Sequence, residues 1–141
     1  MTALSQDRAT PFYADKQPHD YAQKAATKLF AGALAVLDGG YAAPGRTATG
    51  LVAVGFADKY SDNSSGANGD VNARIRSRIG RLNNSASTDL IALTEIGSDC
   101  YIVDDQTVAK TNGSGTRSVA GKVINIDALG VWVAVGPGGV L

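Results

Sequence analysis

Nucleophilic and acid–base chemistry need a histidine, a cysteine or converging carboxylates in fixed geometry, and this chain offers few of them. His19 is the one histidine, in a stretch with Pro11 and Pro18 where nothing fixes its geometry, whereas a catalytic triad works by being preorganised. Cys100 is the one cysteine, which excludes an intrachain disulfide and a cysteine-based metal site. No Gly-x-Ser-x-Gly elbow occurs. Asp104 and Asp105 come nearest to a carboxylate pair, but neighbours along a strand point to opposite faces, so the two read as a turn at a strand end. The run Gly115 to Val123 is one residue too long for a phosphate loop, and Val123 stands where a magnesium-binding hydroxyl is required. The oxygen-rich loop from Asp62 to Asp70 lacks the ligand spacing and closing glutamate of a calcium loop and reads as solvated. Neither a cofactor nor a metal is expected, and the chain does not read as an enzyme.

One charged constellation remains. Arg74, Arg76 and Arg78 alternate with Val71, Ala73, Ile75 and Ile79 in the cleanest period-two stretch of the chain. On one continuous strand face the three guanidiniums would form a row about 13 Å long. Such a row pairs with acidic neighbours on adjacent strands or meets a partner's carboxylates two-pronged. Nucleic acid fits it poorly, since no aromatic platform is interleaved.

The elements that would carry these residues are mostly short strands. Seventeen glycines in 141 residues, many in clusters such as Gly39-Gly40 and Gly113-Ser114-Gly115, imply many tight turns. Strands are expected near 24–30 and 33–37, with Asp38-Gly39-Gly40 closing a turn, although helix formers from Gln23 to Phe30 argue the other way. Leu51 to Ala57 reads as a buried strand, 61–69 as a loop too flexible for the core, and 71–79 as one half-buried strand. Ser87 or Thr88 is placed to cap a helical turn over Leu90 to Leu93. Beyond it lie strands at 100–104, 107–109, 118–126 and 131–135. The expected class is all-β: a compact sandwich or barrel, β-tulip-like, with an extended N-terminal arm and at most one short helix. Residues 1–22 are the arm, 23–136 a single β-rich domain, and 137–141 a C-terminal tail. The arm carries Leu4, Pro11, Phe12, Tyr13 and Tyr21, more apolar surface than a segment needs merely to stay solvated.

Thirteen basic and thirteen acidic residues leave no formal net charge, which argues against nucleic-acid binding and weakens the repulsion that opposes self-association. The N-terminus lacks an apolar core of the signal-peptide kind, and no run approaches membrane-spanning length, so no membrane is expected as a partner.

The ordered set Phe30-Ala31-Gly32-Ala33-Leu34, Ala48 to Gly55, the Asp62 to Ala67 loop, Tyr101 to Thr111, Gly115-Thr116-Arg117-Ser118, Ala120 to Val123 and Ile126 to Val133 resembles the capsid decoration (cement) proteins of tailed bacteriophages. The likeness covers residues 25–135. One departure lies at Arg78 to Asn84, where a more aromatic strand is expected. The resemblance implies a structural virion protein, made in the host cytoplasm and bound to the outside of the capsid. Its partners are then the major capsid protein and itself, as homotrimers at three-fold or quasi-three-fold junctions. The family has no catalytic residues to carry over. The arm residues Leu4, Arg8, Pro11, Phe12 and Tyr13 are the expected capsid contacts on their composition, and Arg74, Arg76 and Arg78 the candidate interface charges. The same composition allows a head spike or tail component. A small ligand-binding β-barrel would need a sizeable apolar cavity, against which the many small residues speak.

Overall fold

The computed structural model describes residues 17–137, together with Gln6 and Ala9. Among them twelve strands form: β1 (His19–Ala22), β2 (Thr27–Leu29), β3 (Leu34–Asp38), β4 (Tyr41–Pro44), β5 (Val52–Ala57), β6 (Ser61–Asn63), β7 (Asn72–Arg76), β8 (Arg78–Leu82), β9 (Asp99–Ile102), β10 (Val108–Ala109), β11 (Val119–Asp127) and β12 (Gly130–Val135). They assemble into two five-stranded antiparallel sheets, ordered β1-β7-β5-β3-β4 and β10-β9-β11-β12-β8, with β2 and β6 as a separate pair. The fold is an all-β sandwich, and neither sheet closes into a barrel.

Two cores explain the hydrophobic pattern. The larger lies between the sheets, where Leu34, Val36 and Phe56 meet Ile102, Val123, Val131 and Val133. The smaller lies on the opposite face of the first sheet, where Leu29, Ala35, Val54, Ala57 and Ile75 pack. Burying each of the large side chains here contributes about 1.5–3 kcal/mol. Sitting between both cores, β5 is apolar on both faces, as its sequence demanded. Gly55 lets it change phase: the β3–β5 register shifts between Ala35 and Val36, and a Cβ on Gly55 would stand 2.3 Å from the carbonyl oxygen of Arg76. Gly39 and Gly40, at φ +60° and +89°, make the two-residue turn between β3 and β4.

Four local readings are corrected. His19–Ala22, expected at the end of the arm, is the edge strand β1 and pairs with β7. The loop 61–69 contains β6, and Asn63 in it is buried, its amide donating to the carbonyls of Gln23 (3.2 Å), Lys24 (3.1 Å) and Ala67 (2.9 Å). The helical turn over Leu90 to Leu93 is absent. Two 3₁₀ turns, Ser87–Asp89 and Leu93–Glu95, stand on either side, and the side chain of Asn84 takes both backbone groups of Ile91, at 2.9 and 3.0 Å, so Ile91 has none left for a helix.

The fourth correction concerns 71–79, which is two strands in different sheets. Ala73 and Ile75 are buried as the alternation requires, but the chain crosses between sheets at Ser77, whose hydroxyl donates to the carbonyl of Val54 (3.0 Å). Beyond the crossing the inward positions are Gly80, against the Phe56 ring, and Leu82, so Ile79 faces solvent. In the tail, residues 138–141 lie outside the described residues.

Candidate functional site

The sheet change at Ser77 dissolves the arginine row. Arg74 and Arg76 stay on β7, paired with Asp20 (3.6 Å) and Asp58 (3.2 Å). The hydrogen bond from Arg76, aided by the charges of Arg76, Arg78 and Arg74, holds the Asp58 carboxyl below the usual range against the opposing effect of burial. Arg78 stands instead on β8 with Arg81, a residue that reading the sequence missed. Arg81 lies over the ring of Trp132, 5.6 Å from its centroid, and 3.9 Å from Asp127. The signal for it was the pairing of Arg81 with Trp132 across β8 and β12, which no one-dimensional pattern displays.

The remaining polar groups are tied into turns. Asp127 accepts from the backbone N–H groups of Leu129 (2.8 Å) and Gly130 (3.1 Å) and from the Trp132 indole (2.9 Å), which together hold its carboxyl low. Asp62 accepts from the N–H of Ser64, and Asp70 from that of Ala67, so these loop carboxylates cap backbone. Asp104 accepts from the N–H of Gln106, while burial, and then the charge of Asp104, raises the carboxyl of Asp105. Arg117, from the glycine-rich run, reaches Asp89 at 3.2 Å and fastens that turn to the first 3₁₀ turn. Burial pushes the Cys100 thiol up to about 12, and its Sγ donates to the carbonyl of Gly121. Among the described residues no three His, Cys, Asp or Glu side chains gather where they could hold a metal.

Exposed apolar surface is the feature left over. Leu93 is 68% and Leu129 70% exposed, and with Leu90, Ile126 and Ala128 they line an open groove of about 850 Å³ where the β11–β12 turn meets the two 3₁₀ turns. Phe30, 58% exposed, stacks obliquely on Tyr60 with ring centroids 5.4 Å apart. Leaving such side chains in water costs the free protein what their burial against a partner would recover. The expected arm contacts Leu4, Arg8, Pro11, Phe12 and Tyr13 lie outside the described residues. No protein family, curated protein or solved structure matches this chain.

Proposed function

We propose that this chain is a capsid decoration protein, which binds the outer surface of an assembled tailed-phage capsid through the major capsid protein and stabilises it. It acts as a homotrimer at three-fold or quasi-three-fold junctions. The observation that carries the reading is the exposed apolar surface at the margins of a two-core sandwich, above all Leu93, Leu129 and Phe30, on a chain without formal net charge. A rigid sheet scaffold with sticky margins is suited to attachment by shape. The resemblance over residues 25–135 points the same way.

The physical mechanism is linkage. Packaged DNA repels itself and loads the junctions between capsid subunits, and a protein that binds only the assembled junction stabilises assembly in proportion to its differential affinity. A trimer adds avidity, since a second and third attachment form at high effective concentration. The segment before β1, with Leu4, Arg8, Pro11, Phe12 and Tyr13, then lies across neighbouring capsid subunits. Because β1 begins at His19, a clean test removes residues 2–16 and leaves the sheet intact. Attachment to purified capsid shells should weaken at least about tenfold, a loss of roughly 1.4 kcal/mol, with the melting temperature unchanged. Shell occupancy equal to that of the full chain would overturn the proposal.

A further inference from the structure

Each five-stranded sheet has two edge strands, β1 and β4 in the first and β10 and β8 in the second. In the first sheet the ends of β1 and β4 meet through a bridge between Gln23 and Ala42. In the second, the end of β8 likewise meets the two-residue β10 through Asn83, which donates to the carbonyl of Gln106 (2.7 Å) and accepts from the N–H of Val108 (3.0 Å) and leaves Arg78–Leu82 beyond it. Along Arg78–Leu82 the strand partner is β12 alone, and among the described residues no backbone hydrogen bond joins these five to any other segment. In an antiparallel pair only alternate residues bond to the neighbour, so the other backbone groups of β8 point outward.

A groove of about 400 Å³ runs against that side, lined by Arg78, Ile79, Gly80 and Arg81 and faced by Gly32 and Asp58. Consecutive strand residues point to opposite faces, so one hollow touches all four only if it meets the strand edge-on. Gly32 also borders an adjoining hollow of about 390 Å³ beside the exposed Phe30. Arg78 makes no ion pair among the described residues, and Arg81 is held loosely by Asp127 at 3.9 Å.

We propose that the free edge of β8 receives an extended, carboxylate-bearing segment of the major capsid protein as an added strand. Its backbone completes the sheet, and carboxylates along it pair with Arg78 on one face and Arg81 on the other. This rests on the decoration reading above. Charge favours such a partner over a second copy, since pairing β8 with itself brings four guanidiniums together. Arginines also guard open edges against aggregation, but a guard needs no groove with an exposed Ile79 in it.

The test titrates bare capsid shells with the full chain and with an Arg78→Glu/Arg81→Glu variant, and follows amide hydrogen exchange at 78–82 in the free and attached chain. The expected result is attachment weakened about tenfold or more by the double substitution, with the variant still melting in one cooperative transition, and slowed exchange at 78–82 on shells. If the full chain attaches but either effect is missing, the arginines serve as edge protection only and the inference is overturned while the decoration reading stands. Protection at 78–82 that grows with chain concentration in the absence of shells overturns it in favour of self-pairing. A full chain that leaves the shells bare overturns both.

Discussion

The buried carboxamide of Asn63 donates to three carbonyls on two segments, those of Gln23, Lys24 and Ala67, which is why a polar loop contains a core residue. Asn63→Ala should therefore cost about 1–3 kcal/mol, measured by urea unfolding, and Asn63→Asp should cost more at neutral pH because it sets a carboxylate against those carbonyls. Asp38 is the second residue on which much converges. Lys24 and Arg46 both donate to its Oδ2 at 2.7 Å, and these hydrogen bonds, with both charges, hold its carboxyl below the usual range against the effect of burial. A carboxyl whose folded pKa is depressed adds stability that is complete above the unfolded value of about 3.9 and is lost as pH falls through the folded value. Thermal melts of the parent and of Asp38→Asn should accordingly differ most at near-neutral pH and converge in acid. Neither role was legible beforehand: Asn63 looked like one turn residue among several, and the partners of Asp38 lie on other segments.

Among the elements, β5 and the β7–β8 pair show how far pattern reaches. The unbroken apolar run in β5 announced burial on both faces, and the structure supplies a core for each. The need for Gly55 was invisible, because it arises from the close approach of β7 and from a φ of +147°. Gly55→Ala should destabilise by about 2–3 kcal/mol, read from the urea midpoint, whereas alanine at an open turn glycine such as Gly32 should cost less, since a Cβ there meets nothing within 4 Å. In β7 and β8 the alternation predicted the buried faces of Ala73 and Ile75 and failed at Ile79. A period of two reports which face is buried only while the strand stays in one sheet, and Ser77 is where it leaves.

For the whole molecule, the surface decides what the fold is for. Under the homotrimer reading, the groove bordered by Leu93 and Leu129 is the apolar area that self-association needs. Replacing both with lysine should shift sedimentation from trimer to monomer and abolish any dependence of the melting temperature on chain concentration, while the single chain still folds because both side chains are exposed in it. Sedimentation like the parent's would remove this groove from the interface. The sequence by itself determined the all-β class, most strand positions and the buried face of β7, because glycine-rich turns and short apolar periods are local signals. Only the tertiary structure decided which strands share a sheet, that the arginine row is split and that, among the described residues, the outer edge of β8 takes no backbone partner. Each of these depends on pairing between segments distant along the chain, and on where a backbone edge finds no partner, which no local pattern encodes.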